Sequence, residues 1–309
     1  MEMRTIGSLE VSAVGLGTNN FGIGRMEPQE VPPVVDAALE AGINFFDTAD
    51  GYGNSEELLG KALVGRRDAA VIATKFASPV DGGPGGASPD YVRTAVERSL
   101  KELGTDRIDL YQIHRPDQST PIADTLGALD ELVKAGKVLE IGCSNFSGAQ
   151  LREAQAAIAP GGARFVSVQN ELSLVRRNDE ANGLPVAAEL DIAYLPYFPL
   201  ASGVLTGKYR RGEAPPAGSR LGAQPAEVSA RALSDKRFDT VEALTAWAEA
   251  HGHSILDLAF AWLLAKPVVA SVIAGATKVD QVEANAAAGG WTLTPAEVAE
   301  VDAISARPA

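Results

Sequence analysis

A chain of 309 residues with 46% hydrophobic residues can bury a large core, and its length suits either one large barrel or two ordinary domains. The formal net charge of -13 repels phosphate backbones and anionic lipid heads, and beyond the pair Arg210-Arg211 no basic patch offsets it. Nucleic-acid and membrane-surface partners are therefore not expected. A locally held anionic cofactor remains allowed, because a helix N-terminus with one or two cations acts over a few ångströms while net charge is screened beyond about 10 Å.

In chain order, short β-rich runs alternate with segments of helical periodicity. The strand candidates are SAVGLG from Ser12, NFFDTA from Asn44, AVIATKF from Ala70, IDLYQIH from Ile108, LEIGCS from Leu139, FVSVQNE from Phe165, IAYLPY from Ile192 and ASVIAG from Ala270. Between them VPPVVDAALEAG, SEELLGKALVG, PDYVRTAVERSLKELG, IADTLGALDELVKAG, GAQLREAQAAI and DLAFAWLLAK read as helices with Gly or Pro near their ends. Strands each followed by a helix, with no composition shift that marks a linker, predict one α/β domain over 1–309, a closed (β/α)8 TIM barrel. A doubly wound open sheet is the alternative, but no GxGxxG follows the first strand. The segment at about 208–238, after the seventh strand, is rich in Pro, Gly and charge and reads as a long surface loop able to act as a lid.

The single cysteine, Cys143, rules out an intrachain disulfide and a CxxC metal cluster, and it reads as a buried small residue. No basic segment followed by an apolar run opens the chain, and no stretch approaches the ~20 apolar residues of a membrane span. A reducing, cytoplasmic setting is expected, and no metal site.

Barrel active sites are built at the C-terminal ends of the strands. Alternation puts Phe45 and Asp47 on one strand face, Lys75 with Val71 and Ala73, and His114 with Leu110 and Gln112, while Tyr52 follows in a Gly-flanked turn. Alone, each has an ordinary reading as a surface cation, a structural histidine or a turn residue. Together, successive strands aim a carboxylate, a phenol, an ammonium and an imidazole at one volume. A phenol with a reference pKa of about 10 becomes a usable proton donor when a cation stabilises its phenolate. Lys75 supplies that cation, Asp47 orients Lys75, and His114 donates a hydrogen bond to a carbonyl oxygen as charge develops there.

GINFFDTADGYGNSEELLGKAL, VIATKF, DLYQIHRPD, IGCSNFS, SVQNELSLV, PYFPLASGVLTGKY and SVIAGATKVDQVEAN resemble, in order and spacing, the signature segments of the aldo-keto reductase superfamily over nearly the whole chain. The HRPD segment is similar to the branches that hold potassium-channel β-subunits and general-stress reductases. The resemblance implies a (β/α)8 barrel, NADP(H) bound in preference to NAD(H), and a tetrad falling on Asp47, Tyr52, Lys75 and His114. It implies reduction of small aldehydes or ketones, or, alternatively, an NADP(H)-binding sensor with slow turnover. A barrel lyase using Lys75 as a Schiff-base nucleophile is a third reading.

For the cofactor, Ser144, Asn145 and Gln169 can hold the nicotinamide carboxamide and Tyr197 can stack on its ring. Helix capping by Ser144 or Asn145, and core packing of Tyr197, are the structural alternatives. Around PLASGVLTGKY, Leu200, Ser202, Gly203 and Lys208 allow close approach to a pyrophosphate. Gly275, Thr277 and Lys278 open a helix whose amides favour an anion, and the resemblance places the 2′-phosphate there, with Gln281 and Asn285 facing the adenine. The family's frequent second basic residue beside Lys278, its Arg near Gln281 and its long C-terminal loop have no counterpart. The substrate pocket is then left to Asn20, Phe21, Tyr52, Arg115 and the loop after Lys208. His251 and His253 read as solvated loop residues, and Trp247, Trp262 and Trp291 as packing residues. The oligomeric state stays open and a monomer is allowed.

Overall fold

A computed structural model describes residues 1–78 and 85–305. The chain opens with an antiparallel hairpin of β1 (Met3–Ile6) and β2 (Leu9–Ser12), turned at Gly7 with φ +57°. Eight parallel strands then close a barrel: β3 (Val14–Gly17), β4 (Phe45–Asp47), β5 (Val71–Phe76), β6 (Ile108–Ile113), β7 (Val138–Ser144), β8 (Phe165–Glu171), β9 (Ala193–Tyr197) and β10 (Val272–Gly275). The ring is completed by β10, which pairs with β9 through Ile273 and Tyr197 and with β3 on its other side. The closed parallel ring matches the (β/α)8 barrel expected from the alternation of strands and helices.

Around it run α1 (Asn19–Gly22), α2 (Val31–Glu40), α3 (Ser55–Ala62), α4 (Pro89–Leu103), α5 (Ile122–Lys134), α6 (Gly148–Ala156), α7 (Gly183–Glu189), α8 (Ala226–Ala232), α9 (Asp235–Ala250), α10 (Ile255–Leu264), α11 (Val279–Ala288) and α12 (Pro295–Ser305). Local chemistry sets several boundaries. Ser88 caps α4, which ends at left-handed Gly104, and Ser147 and Ser254 make capping boxes with Gln150 and Asp257 at α6 and α10. Helix α10 is apolar on nearly every side because it is covered all round, with Trp262 fully buried and its Nε1 donating to Asp302 of α12 at 2.8 Å.

Period-two alternation divides each strand between two cores. Phe46, Ile72, Phe76 and Cys143 face the helix layer, whereas Phe45, Ala73, Leu110 and Leu195 face the barrel interior. The interior cluster continues into Ile6, Leu9 and Val11, so the hairpin plugs the end of the barrel opposite the strand C-termini. Arg4 fastens it there, donating to the carbonyls of Val269 at 2.6 Å and Leu264 at 3.0 Å. The sequence reading did not anticipate this hairpin. Two four-residue strands are too short to show a period, and the Gly7-Ser8 turn was the available signal.

Two further expectations are corrected. The segment at 208–238 is not loop throughout, since it contains α8 and the start of α9. It is also anchored: Leu221 is buried, its amide donates to the Tyr209 hydroxyl at 3.2 Å, and its carbonyl accepts from Ser229 Oγ at 2.6 Å. His251 and His253 are not simply solvated, because each ring stacks at 3.9 Å on an indole, Trp247 and Trp291 respectively. Those indoles also face each other at 5.9 Å.

Between the barrel and the α3–α4 pair lie two buried carboxyls. Glu56 accepts a hydrogen bond from Thr74 Oγ1 at 2.6 Å, and Asp50 meets Arg98 at 3.1 Å. Burial raises both to about 7, outweighing the opposing pull of Thr74 on Glu56 and of Arg98 on Asp50. A carboxyl raised in the folded state keeps its proton where the unfolded chain has lost it, so its contribution is complete in acid and is lost as pH rises toward about 7. Glu56→Gln is expected to remove about 3 kcal/mol of this pH dependence. Thermal melts from pH 5 to pH 8 should show wild type losing several degrees more than the variant; parallel losses would refute the assignment.

Candidate active site

The strand ends converge as their alternation requires. Lys75, fully buried at the end of β5, donates to Asp47 Oδ2 at 2.7 Å and to the Thr48 carbonyl at 2.8 Å. Asp47 Oδ1 accepts from Gln169 Nε2 at 2.8 Å, which ties β4 to β8 across the barrel. Burial opposes the charge on Lys75, but Asp47 and Tyr52 outweigh it, and the ammonium is held above its ordinary pKa.

Tyr52 stands in the turn between β4 and α3. Gly53 there has φ +59°, and a Cβ on it would sit 2.2 Å from the Gly22 carbonyl oxygen, while a Cβ on Gly22 would sit 1.7 Å from the Tyr52 oxygen. The glycines flanking this contact let the β3 and β4 loops touch and so set the phenol's direction. Lys75 Nζ lies 5.2 Å from the Tyr52 ring centre, and the His114 ring stands edge-on to it at 5.6 Å and 83°.

His114 follows β6 directly. Burial first, then the charges of Lys75 and Arg115, lower it to about 3, which keeps the imidazole neutral near pH 7. Its Nδ1 is 3.0 Å from Ser78 Oγ, and Ser78 is itself held by Tyr91, whose hydroxyl donates to the Ser78 carbonyl at 2.8 Å. The tautomer with its proton on Nε2 is the one in which Nδ1 accepts from the Ser78 hydroxyl. The sequence reading did not include Ser78 or Tyr91: Ser78 lies two residues beyond the end of β5, and Tyr91 in the first turn of α4 reads as an ordinary helix residue.

A cavity of about 960 Å³ opens at the C-terminal end of the barrel and contains Asp47, Tyr52 and His114 in its wall. Every residue expected at the cofactor lines the same cavity. At its centre, Ser144 Oγ donates to the Gln169 carbonyl at 2.8 Å and accepts from Asn145 Nδ2 at 3.0 Å. Asn145 also donates to the His114 carbonyl at 2.9 Å and accepts from the Tyr197 hydroxyl at 2.8 Å. Its two amide hydrogens are thus engaged within the protein, which leaves oxygens of Ser144, Asn145 and Gln169 as the open polar positions. The N-cap of α6 is Ser147, so neither Ser144 nor Asn145 serves as the cap.

Toward one end, Leu200, Ser202, Gly203 and Lys208 surround a tight turn after β9. Gly203 has φ +90°, and a Cβ there would meet Lys208 Cε at 2.4 Å, so the lysine crosses over the glycine. Gly275 closes β10, and Lys278 is the N-cap residue of α11, carrying no capping bond of its own. Gln281 turns back to accept from Thr277 N at 2.9 Å, and Asn285 is buried one turn later. The buried Asn20 Oδ1 has no hydrogen-bond partner although it borders this cavity, as expected where a polar ligand is to be received. Phe21, expected in the pocket, instead packs into the helix-side core.

Among the described residues, the positive-φ residues other than glycine, Asp191 excepted, follow the C-terminal ends of barrel strands: Ala77, Asn145, Phe198, Ala201 and Ser202. A smaller cleft of about 390 Å³ lies behind Phe146, but its Asp117 is committed to Ala87 N, Ser119 and Thr120. Among the described residues no His, Cys, Asp and Glu group could hold a metal ion, and no helix is long and apolar enough to cross a membrane.

Residues 13–306 match the model of the aldo/keto reductase family. The chain is 37% identical to an aldo-keto reductase, str7, of Strobilurus tenacellus over 96% of its own length and 90% of the relative's. It is 38% identical to a probable aldo-keto reductase 1 of Glycine max over 94% and 85% of the two chains. It is 33% identical to a probable voltage-gated potassium channel subunit beta of Oryza sativa subsp. japonica over 98% and 96%. With this barrel, these strand ends and a match over almost its full length, the chain belongs to the aldo/keto reductase family.

Proposed function

We propose that this oxidoreductase reduces aldehydes or ketones to alcohols with NADPH, using Tyr52 as the proton donor and the whole of 1–309 as one barrel domain. The observation that carries the reading is the meeting of Tyr52 and neutral His114 in the wall of one cavity, with the charged, buried Lys75 directly behind the Tyr52 ring. When bound, NADPH supplies the hydride. Tyr52 passes its proton to the carbonyl oxygen, and the Lys75 ammonium offsets the charge left on the phenolic oxygen. Asp47 and the Thr48 carbonyl keep that ammonium in place. His114, uncharged, offers Nε2–H to the same oxygen as its negative charge grows.

The remaining residues hold and orient the cofactor. Ser144, Asn145 and Gln169 accept from the nicotinamide amide, and the half-buried Tyr197 flanks the ring. The turn through Leu200, Ser202 and Gly203, with Lys208, takes the pyrophosphate. Lys278, with Gly275 and Thr277 at the start of α11, takes the 2′-phosphate, while Gln281 and Asn285 border the adenine. NADP(H) is then favoured over NAD(H). A lyase reading fits poorly, since Lys75 is fully buried and its charge is stabilised by two acceptors. Occupation of all four tetrad positions favours turnover over a purely sensing role. Cys143, buried and with its thiol pushed well up by burial, suits a cytoplasmic, reducing setting and takes no part in the chemistry.

NADPH oxidation with 4-nitrobenzaldehyde and methylglyoxal tests the reaction. Tyr52→Phe should lower kcat about 100-fold or more while binding NADPH as before by fluorescence quenching. Equal turnover of both proteins would end the proton-donor assignment, and tight NADPH binding without oxidation by wild type would favour the sensor. Lys278→Ala should weaken NADP binding about tenfold and NAD binding little, measured by calorimetry. An equal loss for the two cofactors would remove Lys278 from the 2′-phosphate.

A further inference from the structure

The cavity is far more basic than the molecule. The chain carries 40 acidic against 27 basic residues, yet three arginines, Arg25, Arg115 and Arg220, line the same cavity as Tyr52 and His114. Among the described residues none of the three enters an ion pair. Elsewhere arginines are commonly paired, as Arg66 is with Asp36, Arg67 with Asp109 and Arg152 with Glu189. In so acidic a chain, three guanidinium groups facing one opening without counter-charge is a departure that packing does not require.

Their placement is specific. Arg115 directly follows His114, and its charge acts on both His114 and Tyr197. Arg220, half-buried in the segment before α8, lies 4.7 Å over the Phe198 ring and interacts with Tyr52. Burial first, and then the like charge of Arg25, makes the Arg220 cation harder to hold. Arg25 leaves the α1 loop three residues after Gly22, the residue packed on the Tyr52 carbonyl. The two lysines assigned to cofactor phosphates sit elsewhere, Lys208 across Gly203 and Lys278 at the head of α11. The carboxylates in the cavity wall do not answer the arginines either: Asp47 is bonded to Lys75 and Gln169, and Asp280 lies in the first turn of α11.

We propose that the carbonyl substrate carries an anionic oxygen group, a carboxylate or a phosphate, which Arg25 and Arg115 receive at the cavity mouth while the carbonyl lies against Tyr52. Guanidinium suits this task because its planar donors match both oxyanions and its charge is permanent. The same three cations draw such a substrate toward a protein whose net charge would otherwise repel it. This inference rests on the reductase reading and narrows it to a substrate class.

The test compares kcat/KM within two pairs at saturating NADPH: 4-carboxybenzaldehyde against 4-formylbenzamide, and glyceraldehyde 3-phosphate against glyceraldehyde. At least one anionic member should be preferred about tenfold or more, with the preference shrinking as salt is raised. Whichever pair responds identifies the oxyanion. Arg25→Gln and Arg115→Gln should each bring the ratio toward one. No preference in either pair overturns the proposal while neutral aldehydes still report on the reductase. A ratio unchanged in both variants, with NADPH affinity lost instead, also overturns it by assigning the arginines to the cofactor. If no aldehyde oxidises NADPH, the reductase reading falls, and calorimetry decides the anion site. Tighter binding of 4-(hydroxymethyl)benzoate than of 4-(hydroxymethyl)benzamide in the presence of NADP retains it, and equal binding removes it.

Discussion

The ion pair between Lys75 and Asp47 is the constraint around which the rest of the site is arranged. An ammonium with no exposure to solvent costs several kcal/mol to bury and is tolerated only where its partners are already in place. Here Asp47 Oδ2 and the Thr48 carbonyl accept from it, and Asp47 Oδ1 is in turn satisfied by Gln169. Three strands, β4, β5 and β8, must therefore meet in the correct register before the charge is stable. Closure of the barrel and ionisation of Lys75 are one requirement, and the phenol and imidazole are placed by reference to it.

That requirement explains the polarity of the barrel along its axis. At the end closed by β1 and β2, Ile6, Leu9 and Val11 continue an apolar interior, so water is kept from the ion pair on that side. At the opposite end the backbone leaves the sheet through residues in the left-handed region, and polar groups replace apolar ones. Electrostatic effects pass readily through such an interior. The charge of Lys75 acts with burial and Arg115 to keep His114 neutral, which suits the imidazole to donate a hydrogen bond rather than to compete for the proton.

Much of this was legible in the amino-acid order. Strand alternation put Asp47 on one face with Phe45 and Lys75 on one face with Ala73, the faces that the barrel turns inward, and Gly or Pro at helix ends marked most of the surrounding layer. What escaped had weaker local signals. The β1–β2 hairpin is too short for periodicity, and α8 and the head of α9 are hidden in a Pro-, Gly- and charge-rich segment. Phe21 stands close to pocket residues in sequence, yet its ring turns into the helix-side core. His251 finds its partner one turn back on its own helix, but His253 stacks on Trp291, 38 residues further along the chain, which no local reading reaches.

The sequence by itself determined the barrel class, the order of the strand-end residues and the family, because these follow from period, spacing and motif, all of which are local properties. Tertiary structure alone decided that Gln169 supports Asp47 from 122 residues away, that Ser78 meets the His114 ring nitrogen, and that arginines from three separate loops line the same cavity as Tyr52. The physical reason is that loop conformation and long-range pairing depend on packing and on the satisfaction of buried charge, and neither leaves a regular trace along the chain.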